Sequence, residues 1–253
     1  MILYGRNPIR EALRGRRKHA VGEVWATAGV AHESWLRGVD VRSASAEEVE
    51  RRCGSPAHQG ICAEAGGYPY CSADELLAGD DDPLIVALDQ VQDPQNLGSI
   101  CRTAECAGAA GVVIPERRAV EVTPAVCKAS AGAVEHLKVA RVRNIADFLT
   151  DASKGGCWCY GASAASSGDE RTDEDPRVRP PARAPVAYDK PDYGGGGVVL
   201  VLGSEGHGLR PRVAGACDEL IALPVLGAVE SLGVSAAASA ILYEILQDRT
   251  SSS

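Results

Sequence analysis

Apolar positions along the chain fall into short runs separated by polar, glycine-bearing turns. Residues 84–88 and 198–202 are continuous apolar runs, the mark of strands buried on both faces of a sheet. Around them, 111–114, 137–142, 158–162 and 219–223 also read as strands. Residues 97–107, 124–130, 145–151, 211–216 and 235–247 carry helical periodicity. This alternation predicts an α/β fold with a parallel sheet and helices on both faces. The last helix contains Ala236-Ala237-Ala238-Ser239-Ala240, small enough to let a second helix come close, within the chain or across a dimer interface. Residues 166–197, rich in Ser, Asp, Pro and Arg and ending in four glycines, interrupt the pattern. Their composition predicts an insertion that buries little.

Residues 1–66 read as a smaller α/β unit, followed by a linker over 67–83 and the larger unit over 84–253. In the smaller unit Asn7 with Pro8 resembles a helix start, Asn as the N-cap and Pro at the first helical position. Strands are expected at 21–26 and 39–42. A helix over 46–53 opens at Ser45 with Glu48 at the capping-box position. His58-Gln59-Gly60 turns the chain into a further strand, and a short helix over 73–78 precedes the linker's acidic run.

Composition narrows the picture. Of 253 residues only one is Phe and one Met, so Ala, Val, Leu and Ile must fill the core. The net charge of −8 counts against a nucleic-acid partner. Its distribution softens that: Arg6, Arg10, Arg14, Arg16, Arg17 and Lys18 crowd the first twenty residues against Glu11 alone, which is either a local basic face or a solvated helix face. The nine cysteines are odd in number and include no Cys-x-x-Cys pair. They read as reduced core residues of a cytoplasmic protein, without disulfides or a metal site. The N-terminus shows no signal-peptide apolar region, and no run approaches the roughly 18 apolar residues that span a bilayer.

Three segments carry the candidate chemistry. They are Asp93-Pro94-Gln95-Asn96-Leu97-Gly98-Ser99-Ile100-Cys101-Arg102, then Leu202-Gly203-Ser204-Glu205-Gly206-His207-Gly208-Leu209, then Leu223-Pro224-Val225-Leu226-Gly227-Ala228-Val229-Glu230-Ser231-Leu232-Gly233-Val234-Ser235. Each lies where a strand-like run gives way to a polar turn, the edge at which α/β sheets bind ligands. Glycine in the second segment lets backbone approach a ligand, although the segment is not the dinucleotide fingerprint. Read singly, the residues keep plain alternatives: Asn96 as a helix N-cap, Arg102 as a surface cation, Ser231 as a helix cap.

In this order and spacing the segments resemble the SpoU (TrmH-like) family of RNA ribose 2'-O-methyltransferases. The N-terminal Gly5-Arg6-Asn7-Pro8-Ile9-Arg10-Glu11-Ala12-Leu13 and His58-Gln59-Gly60 are similar to the substrate-binding extension of the family's ribosomal-RNA branch. The resemblance implies a methyltransferase domain whose C-terminus is threaded into a deep trefoil knot, which periodicity alone could not predict. It also implies a small α/β RNA-binding domain and a homodimer packed through the knotted region. S-adenosyl-L-methionine would be held around Leu202, Gly203, Leu223 and Leu232. Asn96, Arg102, Glu205 and Ser231 would line the catalytic face. One departure stands out: Gly233 occupies a position where the family usually has Asn. The expected activity is methylation of a ribose 2'-hydroxyl, with a guanosine of 23S-type rRNA as target. Alternatives are a tRNA-directed enzyme and a catalytically weak RNA-binding or ribosome-assembly protein. A nucleotide-binding oxidoreductase is opposed by the missing acidic residue after a proper fingerprint.

Overall fold

A computed structural model describes residues 1–79, 81–163, 184–228 and 231–251. In its N-terminal part, strands β1 (Ile2–Tyr4), β2 (Val21–Ala26), β3 (Val41–Ser43) and β4 (Ile61–Ala65) form a mixed sheet in the order β1-β4-β2-β3. Helices α1 (Arg6–Ala12), α2 (Ala28–Ala31) and α3 (Ala46–Cys53) accompany it. The Ser45 hydroxyl caps α3 by accepting from the Glu48 N–H, as expected. Asn7 does not cap α1. The helix starts at Arg6, behind Gly5 at φ 91°, a backbone setting that glycine adopts without steric cost. The first-turn N–H of Arg6 finds its acceptor across the fold, on Gln59 Oε1 at 3.0 Å. A distant side chain thus replaces the local cap.

Short helix α4 (Asp74–Leu77) leads into the larger unit. There follow β5 (Leu84–Asp89), α5 (Pro94–Cys106), β6 (Gly111–Pro115), α6 (Pro124–Ala129), β7 (Lys138–Val142), α7 (Ile145–Lys154), β8 (Trp158–Ser163), β9 (Val186–Ala187), β10 (Val198–Gly203), α8 (Pro211–Ala214), β11 (Glu219–Ala222) and α9 (Val234–Ser251). The strands form one sheet in the order β7-β6-β5-β10-β8-β11-β9, with every pairing parallel. All residues of β5 and β6 are buried, as the continuous apolar runs require. Helix α9 lies on α5, where Thr103 Oγ1 and Ser239 Oγ meet at 3.1 Å. One side of the small-residue stretch therefore serves packing within the chain.

The expected insertion over 166–197 needs correction. Its first part, to residue 183, lies outside the described residues. Its last part is built into the fold. Strand β9 adds to the sheet edge, and Tyr193 is 1% exposed. The Tyr193 hydroxyl donates to the Tyr188 carbonyl at 2.6 Å, and its N–H donates to Asp248 at 2.7 Å. Its ring meets Tyr160 edge-on at 5.0 Å. Two tyrosines in a polar stretch supply enough apolar area to anchor it.

The two sheets share one continuous core, in which Leu3, Ile9 and Ile61 join Leu97, Ile100 and Val126. A buried ion pair, Arg17 with Glu135, lies in the seam, its side chains 1% and 0% exposed. Arg17 Nε donates to Glu135 Oε2 at 2.8 Å, and another guanidinium nitrogen donates to the Gly66 carbonyl at 3.2 Å. Burial works against the Arg17 charge, but hydrogen bonding and attraction to Glu135 hold its pKa above the ordinary arginine value. The Tyr68 hydroxyl donates toward the carbonyls of Val134 (2.9 Å) and Leu137 (2.6 Å). Arg17→Ala would strand the Glu135 carboxylate in the core, and unfolding in urea should show a loss of about 3–5 kcal/mol. Replacing both partners with apolar residues (Arg17→Met with Glu135→Leu) should recover most of it.

Candidate active site

The site is assembled at the C-terminal edge of the large sheet. β5 and β10 are neighbours there, with Leu88 opposite Leu202 and Asp89 opposite Gly203. The loops that follow them therefore emerge side by side. Asp89 ends an otherwise apolar strand, and its side chain is fully buried. It accepts from the Arg210 backbone N–H at 3.0 Å and from Arg210 Nε at 2.8 Å, and a third Arg210 nitrogen lies 2.6 Å away. A buried carboxylate so bonded pins the far end of the 204–210 loop. Sequence reasoning passed over Asp89 and Arg210; the available signal was a charged residue closing a run meant for burial.

Asp93 caps α5, its side chain accepting from the Gln95 N–H at 2.9 Å. The helix thus begins ahead of Asn96, which is not the cap. Its amide is free to reach across the loops, and Asn96 Nδ2 donates to Glu205 Oε1 at 2.6 Å. Two of the four expected catalytic residues, 109 positions apart in sequence, are thereby joined. Arg102 is exposed on α5, and its side chain makes no hydrogen bond or ion pair among the described residues. Ser231 is likewise exposed and unbonded among the described residues. It does not cap α9: the helix starts at Val234, and the Gly233 carbonyl accepts from the Ala237 N–H at 3.0 Å. The structure brings neither Arg102 nor Ser231 into the Asn96–Glu205 pair.

The residues expected to hold a cofactor divide by depth. Leu202 is buried at the end of β10, and Leu223 is half-buried just beyond β11. Leu232 is 53% exposed and Leu226 97% exposed. Residues 223–228 make no hydrogen bond among the described residues. This loop therefore offers bare peptide groups beside apolar side chains, a combination suited to a flat heteroaromatic ring with polar edges. At Gly203 a Cβ would collide with the Gly208 carbonyl group, so the turn closes only around glycine. Gly233 sits at φ 75°, and a Cβ there would meet nothing within 4 Å.

Other groups can be set aside. Burial pushes the Cys101 and Cys127 thiols up to about 12, so neither supplies a thiolate at neutral pH. All nine cysteines are free. Among the described residues no cluster of three or more His, Cys, Asp or Glu could hold a metal, and no helix is long and apolar enough to cross a membrane. The N-terminal cations divide: Arg14, Arg16 and Lys18 are exposed with no acid partner among the described residues, and the other three are paired. Arg6 pairs with Glu33 at 2.7 Å, Arg10 with Glu11 at 2.7 Å, and Arg17 is buried against Glu135. Acids from elsewhere in the fold, unseen in a local window, neutralise Arg6 and Arg17.

The molecule is thus a parallel-sheet unit, with the turns after β5, β10 and β11 at one edge, packed against a small mixed-sheet unit. The family model for the SpoU rRNA methylase family matches residues 83–243, and that for RNA 2'-O ribose methyltransferase substrate binding matches residues 2–71. A putative TrmH family tRNA/rRNA methyltransferase of Bacillus subtilis, YacO, is 34% identical over 259 aligned residues, 98% of this chain and 95% of that one. Among solved structures, the SpoU methyltransferase AviRb from Streptomyces viridochromogenes in complex with AdoMet superposes with a TM-score of 0.76 at 23% identity, covering 99% of this chain and 91% of that one. An AdoMet-bound rRNA methyltransferase from Sinorhizobium meliloti gives 0.74 at 24% identity, over 97% and 86%. The chain belongs to the SpoU (TrmH) family of RNA ribose 2'-O-methyltransferases.

The tightness of the second loop can be tested directly. Gly203→Ala should cost about 1–3 kcal/mol by overpacking. Chemical unfolding should report that loss, and amide spectra should show shifts confined to residues around 204–210.

Proposed function

We propose that this chain transfers a methyl group from S-adenosylmethionine to a ribose 2'-hydroxyl of RNA, with a guanosine of large-subunit rRNA as target. The observation that carries this reading is the Asn96–Glu205 hydrogen bond. It joins the first and second expected segments, in a chain matched by family models in both its parts. The rRNA preference is supported by the substrate-binding match over residues 2–71 and by the whole-length likeness to the Sinorhizobium rRNA enzyme. In this reading residues 1–66 hold RNA, 67–83 link, and 84–253 carry out transfer on a knotted scaffold.

The residues present suit S-adenosylmethionine. Leu202 and Gly203 at the end of β10, with Leu223 and Leu232 of the third loop, would hold it. When bound it supplies an electrophilic methyl group on a sulfonium whose charge vanishes on transfer. The protein's task is then largely positioning. A guanidinium is a poor base, so Arg102 is given a different role. It clamps the phosphate beside the target ribose and orients the hydroxyl, whose proton leaves to phosphate or solvent. Asn96 and Glu205 keep the two loops in register, and Ser231 lines the third. A homodimer through α9 is supported by its outer stripe of Ala236, Ala240 and Tyr243, the last 51% exposed. Nine free thiols agree with a cytoplasmic setting.

A binding-only protein is the second reading, favoured by Gly233 where the family usually carries Asn. The φ of 75° and the open space around Gly233 are compatible with Asn, which tolerates this region. Gly233→Asn should therefore fold normally. Labelled methyl transfer to unmodified large-subunit rRNA and, separately, to tRNA distinguishes the readings. Wild type should label rRNA at one alkali-resistant linkage, and Arg102→Ala should fall by roughly 10²-fold or more. Arg102→Lys should recover little, because lysine lacks the bidentate geometry; near-normal turnover by that variant would remove the clamp. Binding of both ligands without transfer would establish the second reading.

A further inference from the structure

We propose that the turns after β6 and β7 form the RNA-backbone track of this site, with Arg117, Arg118 and Arg143 contacting phosphates next to the target nucleotide. This rests on the RNA-methylation reading above. It concerns residues outside the three sequence segments.

Strand order brings these turns to the site. β7, β6 and β5 are consecutive in the sheet, and parallel neighbours lie about 4.8 Å apart. Their C-terminal turns thus line the same edge as the Asn96–Glu205 pair, one and two strands away from the β5 turn. A hydrogen bond also connects them: the Val120 N–H donates to the Val91 carbonyl at 3.2 Å, tying the β6 turn to the β5 turn. The β6 and β7 turns are joined as well, through the Glu116 N–H to the Val142 carbonyl at 2.8 Å.

The charge on this strip is a local excess. Arg117, Arg118 and Arg143 are all exposed and make no ion pair or hydrogen bond among the described residues. Other arginines nearby are spent: Arg141 pairs with Glu121 at 3.0 Å and lies over the Tyr70 ring. Among the described residues, Glu116 is the one acid lining the open hollow of about 480 Å³ that Arg117 and Arg143 border. In a chain of net charge −8, three free guanidiniums against one carboxylate make a local excess of positive charge. Arg118 is held at φ 60°, a left-handed setting that costs a non-glycine residue roughly 1–2 kcal/mol. Such strain gathers where a side chain must be presented in a set direction. A fixed spread of guanidiniums at one sheet edge suits a polyanion whose charges recur along a strand, and RNA phosphate is the polyanion the neighbouring site would act on.

The test is equilibrium binding of the full-length protein to in vitro transcribed, unmodified large-subunit rRNA over a range of salt. Wild type is set beside Arg117→Ala/Arg118→Ala/Arg143→Ala and beside Lys154→Ala, whose exposed cation lies at the opposite end of the sheet. S-adenosylmethionine binding and methyl transfer are measured on the same preparations. The triple variant should bind RNA roughly tenfold more weakly, and its salt slope should fall by about 2, as loss of three single-strand phosphate contacts predicts. Its S-adenosylmethionine affinity and the RNA binding of Lys154→Ala should match wild type. Unchanged RNA affinity and slope in the triple variant, with wild type still methylating, would overturn the track and leave the enzyme reading intact. A loss confined to S-adenosylmethionine binding would overturn it too. Wild type that neither binds nor methylates this RNA would overturn both.

Discussion

β5 and β10 lie side by side in parallel register, with Asp89 opposite Gly203, and the rest of the site depends on that pairing. It sets two loops from distant parts of the chain next to each other before any polar contact forms. Asp89 then makes the arrangement specific. A carboxylate with no solvent exposure needs partners, and Arg210 supplies them through its backbone and its guanidinium. Removing Arg210 would leave the Asp89 carboxylate as a charge that the core cannot stabilise. With that end of the loop fixed, Glu205 is held where Asn96 can reach it.

The seam between the two sheets has the same logic on a larger scale. Arg17 and Glu135 come from segments 118 positions apart, and each satisfies the other inside a continuous apolar core. Glycines make this contact possible: a Cβ at Gly132 would press to 2.8 Å from the Glu11 side chain. The unit proposed to hold RNA is thus docked on the catalytic sheet through packed groups rather than tethered by a linker alone. RNA held by that unit would be presented to the other at a fixed distance, which would reduce the entropy lost on positioning the ribose.

Much of the fold was legible in the chain because buried parallel strands are written as apolar runs. The strand expected over 21–26 is observed as Val21–Ala26, and Ser45 caps α3 as its spacing promised. What failed did so for tertiary reasons. Asn7 had the look of an N-cap, but Gly5 and the distant Gln59 amide do that work. The polar stretch before β10 hid Tyr193, whose burial depends on Tyr160 and on Asp248 in α9. The apparent basic N-terminus lost Arg6 to Glu33 and Arg17 to Glu135, which no local window could show. Of the expected site, the Asn96–Glu205 meeting was implied by family resemblance rather than by spacing. Arg117, Arg118 and Arg143 were invisible as a group until strand order placed their turns at one edge.

A double-mutant cycle on Asn96 and Glu205 tests most directly whether these two loops act as one unit. Methyl transfer to rRNA would be measured for wild type, Asn96→Ala, Glu205→Ala and the double variant under identical conditions. If the hydrogen bond couples the loops, each single variant should lose most of what the double variant loses, with an interaction energy of about 0.5–3 kcal/mol. Strictly additive losses would contradict it, and would mean that the two residues serve the reaction separately.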